Sequence, residues 1–339
     1  MKLDKRIKAL QYIGHICQKA LNNQDNNFPG FDNIMYHNPW FTPDNVRFCL
    51  NYWHNTLTNS NIKNWLSRYQ LKNENSSKSL GLVFAGNIPL VGLHDLCCAI
   101  AVGVNLKIKF SSKDRLLPEW IINSLKSEFK ELEDKIEFSD NFISDFDAII
   151  ATGSNNTSRY FEYYFGKYKH IIRHNRNSIA IISGKENRDT IEKLADDIFL
   201  YFGLGCRSIS KLYLPSNFDC KVLEEGFQKY NKLLSHNKYA NNYDYWKSVY
   251  TLDKIKFTDM GFFILNNTES LYSPPSVINY EYYSKTSELN KWIKLNQNSL
   301  QCVLSENEEL SKNKFGTSQK PALNEYSDNI DTINFLTSL

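Results

Sequence analysis

The chain has 339 residues, 42% of them hydrophobic and 23% charged, a length that suits two domains. Aromatics at 14% can fill a sizeable core and exclude disorder as the main state, while 9 Pro and 14 Gly exclude a collagenous or low-complexity chain. Lys and Arg number 40 against 37 Asp and Glu, a balance of +3 that is too even and too scattered for a nucleic-acid coat or a binder of acidic lipid.

Residues 4–21 place Ile7, Leu10, Ile13, Ile16 and Cys17 at helical spacing. The preceding Met1-Lys2-Leu3-Asp4-Lys5-Arg6 lacks the apolar centre of a signal peptide. Residues 22–43 are polar and turn-rich, 44–71 return to helical periodicity, and 72–78 read as a linker, so that 1–79 form an N-terminal helical cap region. The longest apolar stretch, Leu80 to Phe110, is broken by Asn87, His94, Asp95, Asn105 and two lysines and is no membrane span. A soluble, cytoplasmic protein is expected.

From Leu80 the pattern alternates. Strands are predicted at 80–85, 104–110, 135–138, 147–152, near Ile171-Ile172 and at 179–182. Helices are predicted from Pro89 to Val102, over 116–131, and from Ser154 to Gly166. Such alternation argues for βαβ units on a mostly parallel sheet, the α/β class. A second unit starts near residue 184 with a helix over 188–202, a strand over 208–214 and a helix over 219–235. Strand-like segments near 249–264 and 275–281, a helix over 286–295 and a strand after Gln301 follow.

The seven cysteines are odd in number with no Cys-x-x-Cys pair, so neither a disulfide framework nor a metal site is indicated. Four places could carry chemistry. Thr152-Gly153-Ser154 ends a strand at a helix start, where free N–H groups and the positive helix end suit a pyrophosphate, although a plain N-cap reads the same. Lys109 ends the second predicted strand, followed by Phe110-Ser111-Ser112-Lys113, with Asp114 the first carboxylate. A basic, hydroxyl-rich strand end prefers a ribose 2′-phosphate, hence NADP(H); the alternative is a solvated strand end. Cys206 follows Gly203-Leu204-Gly205 and precedes Arg207, a setting that suits a thiolate nucleophile as well as a structural thiol. Asn87, after Ala85-Gly86, reads as an oxyanion donor or as a helix cap.

Taken in order, these residues resemble the aldehyde dehydrogenase superfamily, and more closely its LuxC-type acyl-CoA reductases. Ala85-Gly86-Asn87-Ile88-Pro89-Leu90 resembles the family's Trp-Asn-Phe-Pro-type turn, which makes Asn87 the counterpart of the oxyanion-stabilising Asn. Val104 to Ser111 is similar to the strand whose lysine holds the adenosine ribose, here Lys109. Ala151-Thr152-Gly153-Ser154 resembles the turn under the pyrophosphate, and Arg159 and Gly166 fall in step. Gly203-Leu204-Gly205-Cys206 resembles the nucleophile loop. Glu269-Ser270-Leu271-Tyr272-Ser273-Pro274 is similar to the segment whose Glu touches the nicotinamide ribose, and Lys314-Phe315-Gly316 resembles a late Pro-Phe-Gly-Gly motif.

The resemblance implies an aldehyde dehydrogenase-like fold: a Rossmann-type cofactor domain at 80–183, an α/β catalytic domain at 184–305, and a segment at 306–339 that returns to the cofactor domain. It implies reduction of a long-chain fatty acyl-CoA to the aldehyde through a Cys206 thioester with NADPH. Cys206 and Asn87 are the catalytic residues in this reading; Lys109, Ser111, Ser112, Thr152, Gly153, Ser154 and Glu269 hold the cofactor, with no metal. The substrate is a fatty acyl-CoA or another acyl thioester, with an acyl-donor protein subunit and a homo-oligomer left open. Hydrolytic relatives carry a Glu-Leu-Gly-Gly stretch whose Glu activates water, whereas residues 171–177 here read Ile-Ile-Arg-His-Asn-Arg-Asn, with no carboxylate. Such an acyl-enzyme should survive to meet a thiol or a hydride. Arg173, His174 and Arg176 could face CoA phosphates or solvent. The rivals are an NAD(P)-dependent aldehyde dehydrogenase that makes acids and a non-catalytic acyl-accepting subunit of a reductase complex. The polar-aromatic run from His236 to Tyr245 has no role assigned by its residues.

Overall fold

The N-terminal apolar stripe forms α1 (Leu3–Leu21), which buries Leu10, Ile13, Ile16, Cys17 and Ala20, in a computed structural model that describes residues 1–140, 143–153 and 155–339. The polar stretch 22–43, expected to be turns, contains a short helix, α2 (Phe31–His37). Thr42 caps α3 (Pro43–Thr56) by accepting from Asn45 N–H, and Thr58 caps α4 (Asn59–Leu66) by accepting from Asn61 N–H.

From β1 (Ser79–Val83) the chain runs through α5 (Leu93–Val102), β2 (Asn105–Lys109), α6 (Leu116–Glu128), β3 (Ile136–Phe138), β4 (Ala148–Thr152), α7 (Asn155–Phe165) and β5 (Lys169–Arg173). The five strands pair in parallel in the order β3-β2-β1-β4-β5. Their order reverses between β1 and β4, the geometry in which open α/β sheets bind ligands at strand C-termini. β1 and β4 are apolar and buried, as strands covered on both faces must be. The helix expected from Pro89 begins four residues later, at Leu93, because Leu90 takes a left-handed backbone (φ 56°) that an α-helix excludes. At its other end α5 stops at Gly103 (φ 82°), where the buried Arg6 guanidinium donates to Ala101 C=O at 3.0 Å and to Val102 C=O. A cation on those carbonyls complements the negative end of the helix dipole.

The second sheet is built from β6 (Asn177–Ile181), α8 (Arg188–Phe199), β7 (Ile209–Pro215), α9 (Lys221–Phe227), α10 (Asn237–Leu252), β8 (Phe257–Asp259), β9 (Ile264–Asn267), β10 (Val277–Tyr283), α11 (Thr286–Leu295) and β11 (Leu300–Ser305). Its order is β11-β6-β7-β10-β9-β8, parallel except at β8. The strand-like segment expected over 249–264 is the end of α10 followed by two short strands. A final helix, α12 (Thr332–Thr337), packs on α5.

The chain divides into one unit of residues 1–175 with 322–339 and another of residues 176–321. The sequence reading drew this division at 183/184; it falls at 175/176 because β6 hydrogen-bonds to β7 and β11. The N-terminal helices belong with the first sheet, and residues 306–321 belong with the second. Among the described residues no helix is long and apolar enough to cross a membrane, and no group of His, Cys, Asp and Glu is arranged to hold a metal ion.

Candidate functional site

In the first unit, the register sets Val83 beside both Lys109 and Ala151, so the segments leaving β1, β2 and β4 converge at one edge of the sheet. Asn87 is exposed on the first, and Lys109 is half-buried at the end of the second. Thr152 and Gly153 are half-buried on the third, while Ser154 lies outside the described residues. Gly86 is obligatory: a Cβ there would lie 2.6 Å from Ser111 Oγ and 2.9 Å from Asp114 N. Ser111 Oγ accepts from Lys113 N–H at 3.2 Å, which closes a turn that leaves Ser112 and Lys113 exposed.

That turn also disposes of the nearest carboxylate. Asp114 is buried, 4% exposed, and accepts from Leu90 N–H at 2.7 Å. Burial pushes its carboxyl up to about 7, against the downward pull of the Leu90 N–H. The strand end therefore exposes Ser112 and Lys113 beside the half-buried Lys109 and buries Asp114. This donor set fits the phosphate-rich adenosine half of a nicotinamide dinucleotide.

Arg173, considered as a CoA contact, is instead buried in an ion pair with Asp95, with Thr332 Oγ1 beside it at 3.4 Å. Arg173 is 5% exposed. His174 is exposed, 3.4 Å from Glu162.

In the second unit, Cys206 is the one exposed cysteine of the seven; Cys220 is intermediate and the rest are buried. Burial pushes the Cys17, Cys97 and Cys98 thiols far up, which leaves them inert. Cys206 sits in the turn that feeds β7, closed by Ser208 N–H donating to Gly205 C=O at 2.9 Å. Its carbonyl accepts from Ser178 Oγ at 2.8 Å. Arg207, next in sequence, donates from Nη1 to Cys302 Sγ at 3.3 Å.

The chain enters this turn through an unusual backbone. The helix expected over 188–202 ends at Phe199, and Tyr201 (φ 55°), Phe202 (φ 59°) and Gly203 (φ 75°) are all left-handed. Gly203 adopts this freely, but each bulky residue does so at about 1–2 kcal/mol. Tyr201 and Phe202 are buried, so the surrounding packing must hold them.

Glu269 is exposed on a segment held by side chains from neighbouring strands. Lys211 Nζ donates to Thr268 C=O at 2.8 Å and pairs with Glu281. Ser210 Oγ donates to Leu271 C=O at 2.7 Å, and Asn279 Nδ2 to Ser270 and Tyr272 C=O at 3.1 and 2.7 Å. Ser210 Oγ also lies 3.3 Å from Ser178 C=O. Ser178 and Ser210 thus bring the Cys206 turn and the Glu269 segment to one edge of the second sheet. Lys314-Phe315-Gly316 lies in the same unit, where Gly316 and Ser318 N–H donate to Asp197 on α8. Sequence reading missed Ser178, Ser210, Lys211 and Asn279. The available signal was a lysine inside the apolar strand Ile209-Ser210-Lys211-Leu212.

The family model described as acyl-CoA reductase (LuxC) matches residues 58–270. A search of curated proteins gave no match. Among solved structures, aldehyde dehydrogenase 21 from Physcomitrella patens, in complex with the reaction product succinate, is 16% identical; the match covers 100% of this chain and 84% of that one at a TM-score of 0.68. Glyceraldehyde-3-phosphate dehydrogenase GapN from Methanocaldococcus jannaschii, complexed with NADP, is 14% identical over 90% of this chain and 81% of that one, with a TM-score of 0.62. An aldehyde dehydrogenase from Bacillus cereus, in an NAD+ complex, is 12% identical over 91% and 73%, with a TM-score of 0.60. These likenesses establish the aldehyde dehydrogenase fold.

Proposed function

We propose, from the premise that this chain belongs to the acyl-CoA reductase (LuxC) family, that it reduces a long-chain fatty acyl-CoA to the aldehyde with NADPH. The observation that carries the reading is Cys206: alone among the thiols it is exposed, in a turn anchored on Ser178.

The Cys206 thiolate attacks the thioester carbonyl carbon, the bond to the CoA sulfur breaks, and CoA leaves with its electron pair as a thiolate. The Cys206 backbone N–H and the Asn87 amide are the proposed donors to the developing oxyanion. A nicotinamide held by the residues assigned to the cofactor would supply hydride to the thioester carbonyl carbon. Cys206 then departs as thiolate when the resulting thiohemiacetal collapses to the aldehyde. Lys109, Ser111, Ser112, Thr152, Gly153, Ser154 and Glu269 are assigned to the cofactor, with Lys109 and Ser112 toward the 2′-phosphate. The inward turn of Asp114 supports NADPH over NADH, since an outward carboxylate would repel that phosphate. Residues 171–177 offer no carboxylate to activate water, which supports aldehyde over acid as product.

The test is incubation with acyl-CoAs of graded length, followed by mass analysis of the protein and by NADPH absorbance. An acyl mass on Cys206, aldehyde as product, and loss of both in Cys206→Ala are expected. An unmodified Cys206 with full turnover in Cys206→Ala would refute the assignment, and free acid as product would refute the reductase reading.

A further inference from the structure

The run from His236 to Tyr245 has its place in the second unit. His236 is the N-cap of α10, its Nδ1 accepting from Tyr239 N–H at 3.3 Å. Its ring stacks on Phe202 with centroids 4.5 Å apart and planes 36° apart, and the Tyr239 ring approaches Phe202 at 6.0 Å. Phe202 is the second of the two bulky left-handed residues, four positions before Cys206. Tyr239 is fully buried, and its hydroxyl has no hydrogen-bond partner among the described residues. What it contributes here is its ring.

We infer that the rings of His236 and Tyr239 clamp Phe202 and thereby position the Cys206 turn for attack. The inference rests on Cys206 being the nucleophile. A turn needed only to connect α8 to β7 would place Gly or Asn at left-handed positions, where they cost little. Two buried aromatics there persist only if neighbours over-determine the backbone, and strain of this kind gathers at functional sites. The clamp supplies that constraint on one side of the turn, and Ser178 Oγ on the Cys206 carbonyl supplies it on the other. Without the stack, Tyr201 and Phe202 relax to negative φ. The chain entering Gly205 then changes direction, and the thiol leaves its attack position. His236 and Tyr239 are positioning residues, since they act through Phe202.

The test uses the full chain with His236→Ala, which removes the ring, and His236→Phe, which keeps it. Three readouts are taken: the rate of Cys206 alkylation by iodoacetamide, the rate of Cys206 acylation by acyl-CoA, and NADPH binding by fluorescence. His236→Ala is expected to slow alkylation and acylation tenfold or more with NADPH binding unchanged, and His236→Phe to recover both rates to within threefold. Wild-type rates in His236→Ala overturn the inference. So does a His236→Phe as impaired as His236→Ala, because the imidazole itself would then be required. If His236→Ala fails to fold, Phe202→Leu, which keeps bulk and loses the stack, must show the same slowing, and wild-type rates there overturn the inference. A wild-type Cys206 that alkylates in a stack-dependent way yet takes no acyl group sinks the proposed function and leaves the positioning intact. Ready acylation that ignores every stack variant does the reverse.

Discussion

Asp114→Asn isolates one buried acid beside the cofactor-side turn. The amide keeps an acceptor for Leu90 N–H, which Asp114 now holds at 2.7 Å, and removes the ionisation. Burial carries the carboxyl from its ordinary 3.8 to about 7. At 1.36 kcal/mol per tenfold change in proton affinity, that displacement is worth about 4 kcal/mol. The folded state binds this proton more tightly than the unfolded chain does. The contribution therefore favours folding near pH 4, is lost as pH rises from about 4 to 7, and is flat above, where both states are charged. Asp197 on α8, pushed up to about 6 by burial, gives a slope of the same sign but remains in both proteins, so it cancels in the comparison. Urea unfolding of wild type and variant at pH 5, 6, 7 and 8 reads the difference directly. Wild type should lose about 3 kcal/mol relative to Asp114→Asn between pH 5 and 8. A stability difference that stays constant across that range would refute the reasoning, because Asp114 would then ionise alike in both states.

Three further outcomes follow from named contacts. Lys211→Met leaves Glu281 without its buried partner and frees the Thr268 carbonyl; the side chain of Glu281 is 31% exposed, so the loss should sit at the low end of the roughly 3–5 kcal/mol typical of a broken buried pair. Its urea midpoint checks this, and an unchanged midpoint would show that the pair contributes nothing. Tyr239→Phe removes a buried hydroxyl that has no partner among the described residues, and should raise stability by about 1 kcal/mol while keeping the ring; a lower melting temperature would show that the hydroxyl is bonded after all. Gly86→Ala drives a methyl into Ser111 and Asp114, at a cost of about 1–3 kcal/mol, and should weaken NADPH binding in a fluorescence titration. Wild-type affinity in that variant would separate the Gly86 turn from the cofactor.

The alternation of short apolar runs with amphipathic stretches made most of the sheet strands legible, since a strand covered on both faces reads as a continuous apolar segment. α10 was not, because tyrosine and asparagine have modest helix propensity; only the spacing of the buried Tyr239, Tyr243 and Tyr250 betrays its inner face. No linker marks the 175/176 division, so β6 read as part of the first unit until its pairing was known. At the candidate site, residues singled out by their local context (Cys206, Asn87, Lys109) stood out in sequence. Those whose role depends on a distant partner did not. Arg173 looked like a free cation because Asp95 is 78 residues away, and Lys211 finds Glu281 at a separation of 70. The left-handed Tyr201 and Phe202 run against local preference, so nothing in the sequence signals them.

The division of the chain also dictates an order of events during synthesis. The first unit is completed by residues 322–339: Tyr326 Oη accepts from Trp65 Nε1 at 2.8 Å, and Thr332 approaches the Asp95–Arg173 pair. The second begins at Arg176 and closes only when β11 pairs with β6. At translation speeds of about 5–20 residues per second, the nascent first sheet waits roughly ten to thirty seconds for its own last helix. Through that interval α5 lacks α12 as cover, and Trp65 lacks its acceptor.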